Sequence, residues 1–249
     1  MTLFIGCAGW NLRKDQFAEF PLAGTHLQRY ASRLNCVEIN SSFYRPHRRS
    51  SYQRWAASTP SSFRFAVKAP KQITHIDRLV NSESRIEQFS QEVSGLGEKL
   101  GPILVQLPPS LAFDCACCER FFCELRTRFT GPIVCEPRHI SWFGPEAEAL
   151  LRTFLIARVA ADPALTPLAA VPEGCRHHCY FRWHGSPRMY YSSYGEESLE
   201  TLARQTMAVL PDAQSVWCLF DNTAEGAALR NALTLGERLA AATMTGVCT

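Results

Sequence analysis

No stretch of this 249-residue chain approaches the roughly 20 apolar residues of a membrane span. Its opening, "MTLFIGCAGW", has neither a basic leader nor a long apolar core. The expectation is a cytoplasmic protein with no membrane partner. A strongly basic stripe is missing too: the net charge is +3 and the pI near 8.3, short of the charge a dedicated nucleic-acid binder carries. The first apolar run continues "GCAGWNLRKDQF" rather than GxGxxG, which argues against a dinucleotide fold. There is no HExxH pair, and no paired CxxC at zinc-ribbon spacing. A low-complexity linker is likewise lacking, so residues 1–249 are expected to form one domain.

Cysteine is plentiful, but the eleven are an odd number in a chain without a secretory leader, which points to reduced thiols rather than a disulfide framework. Cys7, Cys36, Cys135 and Cys218 sit in apolar runs as small hydrophobes. The clusters "CACC" at 115–118 and "CRHHC" at 175–179 look more like ligands, yet neither has a partner cluster, and no structural metal is assigned to them.

What is present is a repeating alternation. Eight short apolar runs read as strands: 3–10, 36–40, 63–70, 102–109, 132–138, 157–162, 179–185 and 215–222. Helical patterns fill the gaps at 25–34, 51–57, 83–96, 117–129, 145–156, 196–209 and 224–241. The sixth gap, "PALTPLAAVPEGCRHH", holds three prolines and a glycine and should be irregular. Alternating strands and helices predict an α/β fold with parallel pairing. Eight such units in about 250 residues predict a single TIM-like (β/α)8 barrel with an irregular sixth connection.

In that architecture the chemistry collects at the carboxyl ends of the strands. Those ends carry Gly9 and Trp10, Glu38 and Asn40, Lys68, Gln106, Glu136 and Arg138, Asp162, Arg182 and His184, and Asp221 and Asn222. Every strand except the first ends in a charged or amide side chain. Strand side chains alternate faces, so Glu38 with Asn40, Glu136 with Arg138 and Arg182 with His184 should each point one way, into the barrel. Burying such ions unpaired costs several kcal/mol each, so they must pair with one another or with a ligand. The following loops add Tyr44 and Arg45, Lys71 and His75, and Arg188, Tyr190, Tyr191 and Tyr194. Tyr44 and Arg45 are expected to overhang the mouth.

Taken together and in order, "IGCAGW", "VEINSSFYRP", "FRFAVKAPKQITH", "LGPILVQLPPS", "CEPRHISWF", "YFRWHG" and "WCLFDNTAEGAALRNALTL" resemble the YecE-like, or DUF72-domain, family of uncharacterised bacterial and archaeal TIM-barrel proteins. The resemblance runs almost end to end. It implies a barrel related to metal-dependent and sugar-handling barrels, and brings no established activity. Its motif positions fall on Trp10, Glu38, Asn40, Tyr44, Lys68, His75, Gln106, Glu136, Arg138, His184, Asp221 and Asn222. This chain departs from the family in following Gly-Trp with "NLRKDQF" and in its Cys clusters.

Three functions are expected to compete. The first is an enzyme, a hydrolase or isomerase, acting on a small anionic or polyhydroxylated substrate without a cofactor. There Glu38, Glu136, His184 and Asp221 handle protons, while Trp10, Asn40, Tyr44, Lys68, His75, Gln106, Arg138, Arg182 and Asn222 hold the substrate. Two carboxylates across the mouth would also suit glycoside hydrolysis, depending on their separation. The second is metal-assisted phosphodiester hydrolysis with Glu38, Glu136, Asp162, His184 and Asp221 as ligands of a divalent metal, which the neighbouring arginines disfavour. The third is a barrel that binds nucleic acid or a metabolite, with "FYRPHRRSSYQRW" tracking phosphates; a solvated basic loop explains that run more simply.

Overall fold

Each of the eight apolar runs contains strand in the computed structural model, which describes residues 2–21 and 23–245, the side chains of 243–245 excepted. The expected domain span thus takes in Met1, Leu22 and 246–249, which lie outside the described residues. The strands are β1 (Thr2–Cys7), β2 (Cys36–Ile39), β3 (Arg64–Lys68), β4 (Leu100–Gln106), β5 (Ile133–Glu136), β6 (Ile156–Arg158), β7 (Ala160–Asp162), β8 (Glu173–Gly174), β9 (His178–Trp183) and β10 (Ser215–Phe220). Between them run α1 (His26–Tyr30), α2 (Arg49–Ala57), α3 (Glu83–Val93), α4 (Cys115–Arg128), α5 (Pro145–Thr153), α6 (Glu196–Val209) and α7 (Ala227–Thr245). Short polar side chains fix two of these starts: Thr25 accepts from Gln28 N at 3.3 Å and Asp114 from Cys117 N at 2.7 Å. The "CACC" stretch is therefore the first turn of α4, and the ten described cysteines are all unpaired. No described helix is long and apolar enough to cross a membrane.

The result is a mixed α/β fold of two sheets rather than one continuous hydrogen-bonded ring. One sheet runs β1-β10-β9-β7 and the other β2-β3-β4-β5-β6-β8. All pairing is parallel except that of the two-residue β8 with β6. The sixth predicted strand is split. Ile156–Arg158 pairs with β5, Val159 N still donates to Cys135 O at 2.9 Å, and Ala160–Asp162 then pairs with β9. The proline-rich connection after it forms only a 3-10 turn (Pro167–Ala170) and β8, as its composition predicts.

At the other seam, between β1 and β2, side chains stand in for most of the ladder. The Tyr30 hydroxyl accepts from Cys7 N at 2.8 Å and donates to Cys36 O at 2.9 Å. The Asn35 amide accepts from Ile5 N and donates to Leu3 O, both at 2.8 Å. Among the described residues only Ala8 and Glu38 make a backbone bridge here. Gly6 belongs to this seam because a Cβ there would lie 2.2 Å from Cys36 O.

Inward side chains of both sheets meet in one apolar cluster that includes Phe4, Cys36, Leu104, Val134, Tyr180 and Trp217. Phe4 stacks on Trp217 with centroids 4.2 Å apart, and Gly101 leaves room for the indole, which a Cβ would approach to 2.6 Å. Outward strand residues such as Val37, Val67, Val105 and Phe181 pack instead against the helices. Glu38, Glu136 and Arg182 lie two residues beyond Cys36, Val134 and Tyr180, so alternation stacks them in a layer above this apolar floor.

Removing the Tyr30 hydroxyl tests the seam. Tyr30→Phe should lower stability by about 1–3 kcal/mol, because it strands the buried Cys7 N–H without an acceptor. Urea unfolding should show a lower midpoint at unchanged slope; an unchanged midpoint would mean that the hydroxyl bridge does not hold the seam.

Candidate functional site

Above the apolar floor, Arg182 of β9 is the centre of a buried ionic cluster. Its Nε donates to Glu38 Oε2 at 3.0 Å and its Nη2 to Glu38 Oε1 at 2.8 Å, a bidentate clamp. Nη1 reaches Glu136 Oε2 at 3.1 Å, and Nη2 also lies 2.9 Å from Asp221 Oδ2. Tyr180, two residues earlier on the same face, donates its hydroxyl to Glu38 Oε2 at 2.9 Å. Glu38, Arg182 and Glu136 are sealed from solvent, at 1% exposure or less.

His184 continues that face. Its Nδ1 lies 3.0 Å from Asp221 Oδ2, and its Nε2 lies 3.0 Å from Glu136 Oε1 and 2.8 Å from Arg138 Nη2. With its proton on Nδ1 the ring donates to Asp221 and accepts from Arg138 at Nε2. Arg138 also donates Nε to Glu136 Oε1 at 2.7 Å and, unlike its partners, is partly open to solvent.

Burial alone would raise the Glu136 carboxyl, but Arg138, Arg182 and His184 outweigh it and hold the group well below the usual carboxylate range. Asp221 is likewise lowered, burial being overcome by Arg182, His184 and Lys68. Arg182, which burial would lower, is raised by Asp221, Glu38 and Glu136.

Lys68 borders the cluster from the end of β3. Its Nζ stands 4.1 Å above the Phe43 ring and makes no hydrogen bond among the described residues. Burial, then the Arg182 charge, push its ammonium down to about 8 against the opposing pull of Glu38, Asp221 and Glu136. The Ser42 hydroxyl lies 2.8 Å from Ile39 O and 2.7 Å from Lys68 O, tying the turn that carries Phe43 to β3. His75, on a π-helical turn (Gln72–Ile76), packs edge-on against Phe43 with centroids 4.9 Å apart. Burial, then Lys68, Lys71 and Arg138, lower its pKa.

Among the described residues, the other predicted side chains make no hydrogen bond to the side chains of this cluster. Asn40 does not continue the strand alternation: β2 ends at Ile39, the chain turns helical at Asn40, and its buried Oδ1 is without a partner. Asn40 instead lines a cavity of about 300 Å³ with Trp10, Asn11, His26 and Ser41. Trp10 packs on Trp55 at 5.2 Å. Tyr44, at 74% exposed, does not cover the cluster; with Arg45, Lys71 and Gln72 it edges a cleft of about 450 Å³. Gln106 is in register with Glu136 and half-buried. Asn222 is structural through its amide nitrogen, which donates to Ser192 O and Asn231 Oδ1 at 2.9 Å each; its Oδ1 is buried without a partner. The Asp162 carboxylate accepts from Tyr194 at 2.5 Å, and its backbone O from His184 N at 2.7 Å. Tyr180 and Phe43 were not predicted as site residues. The two-residue spacing of Tyr180 from Arg182 carried the first signal; nothing local carried the second.

A sequence model described as "Protein of unknown function DUF72" matches residues 4–247. The chain belongs to the DUF72 family. Among curated relatives it is 26% identical to UPF0759 protein YunF of Bacillus subtilis, over 95% of this chain and 94% of that one. It is 31% identical to UPF0759 protein YecE of Escherichia coli K12 over 43% of this chain and 38% of that one. Solved DUF72 proteins share its fold. The Thermotoga maritima structure superposes with a TM-score of 0.80 at 24% identity, over 96% of this chain and 99% of that one. The Enterococcus faecalis structure also gives 0.80, at 21% identity, over 96% and 95%.

Removing the shared cation should invert the pH response of the fold. Glu136 and Asp221 have lowered pKa values, so their stabilisation is complete above the unfolded carboxylate range and is lost as pH falls through the folded values. Arg182→Met should cost about 3–5 kcal/mol near pH 7 by leaving buried carboxylates uncompensated. Their pKa values then rise above the unfolded ones, so relative to wild type the variant should gain stability as pH falls from 7 to 5. Denaturant titrations at both pH values check this; a variant with a wild-type pH profile would show that Arg182 does not hold the carboxylates.

Proposed function

We propose that the chain is an enzyme performing acid/base chemistry, isomerisation or hydrolysis, on a small anionic or sugar-like substrate at the carboxyl ends of its strands. One observation carries the reading: His184 is wedged between two carboxylates, with Arg138 at the solvent edge of the same group. Glu136, His184 and Asp221 form a proton relay. Arg138 and Lys68 hold the anionic part of the substrate, the guanidinium matching paired oxygens. Arg182 and Glu38 act from beneath as a preorganised support. No cofactor is invoked.

Two of the expected variants draw less support. Glu38 and Glu136 both grip the Arg182 guanidinium, so the space between them is filled rather than open to a glycosidic bond. For metal-assisted phosphodiester hydrolysis, Glu38, Glu136 and Asp221 turn their oxygens to that same guanidinium, and the Asp162 carboxylate is taken by Tyr194. Among the described residues no group of three His, Cys, Asp or Glu side chains is arranged to hold a metal ion. In "FYRPHRRSSYQRW", Tyr52 is buried and Trp55 packs on Trp10, leaving Tyr44 as the one open aromatic ring of that run; this favours a solvated loop over a base-stacking surface.

The same reading takes the two sheets as one closed (β/α)8 ring within a single domain. Three features support closure: the change of partner at Val159, the Ala8–Glu38 bridge, and an inner cluster shared by both sheets.

A thermal-shift screen of sugar phosphates and sugar acids tests the site. A ligand present at 100 times its Kd should stabilise the protein by about 2.7 kcal/mol. Arg138→Gln should remove most of that shift. A screen without any stabilising anion, or shifts untouched by Arg138→Gln, would overturn the assignment.

A further inference from the structure

Lysine is scarce in this chain. Of its 26 cationic residues 22 are arginine, and the lysines are Lys14, Lys68, Lys71 and Lys99. Lys99 has a structural task, donating to Ala56 O and Thr59 O at 2.6 Å each. Lys14 and Lys71 lie exposed on the surface. Lys68 is different: 5% exposed, beside three carboxylates, and free of hydrogen bonds or ion pairs among the described residues. It is also less sealed than its neighbours, since Glu38 and Arg182 are at 0%. The Phe43 ring fixes its height and carries His75 at its edge. A cation whose task was only electrostatic would be served by arginine, which this chain prefers and which cannot give up its proton. An amine can.

We propose that Lys68 is a nucleophile that forms a Schiff base with the carbonyl carbon of a small aldehyde or ketone bearing an anionic or hydroxylated tail. This rests on the proposed acid/base site and narrows its substrate class to carbonyl compounds. The neutral amine's lone pair attacks the carbonyl carbon, and the π electrons pass to oxygen, which takes a proton. The carbon–oxygen bond of the carbinolamine then breaks, water leaves, and the nitrogen keeps one proton. The net change is an alkylammonium and a carbonyl giving an iminium and one water, with no oxidant or reductant. His75 meets the same aromatic ring as Lys68, and its Nδ1 is engaged by Thr74 Oγ1 at 2.8 Å, which leaves Nε2 to carry protons for the dehydration. A depressed ammonium pKa, about 8, supplies the neutral amine near neutral pH.

The test is reductive trapping on the full-length protein. Dihydroxyacetone phosphate, glyceraldehyde 3-phosphate and pyruvate are incubated separately with it, sodium borohydride is added, and adducts are located by peptide mass mapping. With at least one probe, Lys68 should be labelled about tenfold or more faster than Lys14 and Lys71, because a free lysine near pKa 10.4 is almost wholly protonated at pH 7. Lys68→Arg should lose that adduct while circular dichroism and the surface labelling stay unchanged. If Arg138-dependent thermal stabilisation by these probes occurs without a Lys68 adduct, the amine assignment is overturned and the acid/base site stands. If neither adduct nor stabilisation occurs, the carbonyl assignment is overturned, and the acid/base site is decided by the wider anion screen. Labelling confined to Lys14, Lys71 or the amino terminus also overturns the proposal.

Discussion

The fold and the candidate site depend on one guanidinium. Arg182 leaves β9 and gathers carboxylates from β2, β5 and the residue after β10, so four strand ends converge on a single planar cation. Glu38 and Glu136 belong to the six-stranded sheet, whereas Arg182 belongs to the other and Asp221 directly follows that sheet's β10, so the same ions also join the two sheets across the interior. Ions this deep are costly to desolvate, and they hold only because each finds several partners. That makes register stringent. A one-residue slip of β9 would carry Tyr180, Arg182 and His184 outward together and leave three carboxylates facing an apolar floor.

Much of this was legible because strands report their faces through a two-residue period. Glu38, Glu136, Arg182 and His184 could be placed together from spacing alone, and their mutual pairing is what a buried set of opposite charges requires. The period fails where the backbone leaves the strand. Asn40 follows Glu38 by two residues, but the chain has already turned helical, so its side chain goes to the cavity beside Trp10. Tyr44 closes the same turn four residues after Asn40 and is 74% exposed. The β1–β2 seam was illegible for another reason: Tyr30 and Asn35 replace backbone partners with side-chain atoms, and such a substitution leaves no periodic trace. Asn222 reads as a strand-end amide like the others, and only the position of Asn231, one helical approach away, reveals its structural bond. The split of the sixth strand at Val159 likewise depends on which neighbour each half finds, not on its own residues.

Charge balance connects the support to the chemistry. Glu38, Glu136 and Asp221 face Arg182, Arg138 and Lys68, so three anions meet three cations when His184 is neutral. Five of these six ions are fixed by hydrogen bonds, and Lys68 is the one whose proton is not tied to a partner. If Lys68 releases that proton, the cluster gains a net negative charge in a poorly solvated setting, where unbalanced charge is expensive. His184 lies between two of the anions, its Nε2 turned to Glu136 Oε1 and to the Arg138 donor. The carboxylates that hold the strand ends together thus also oppose release of the Lys68 proton, while burial and the Arg182 charge favour it.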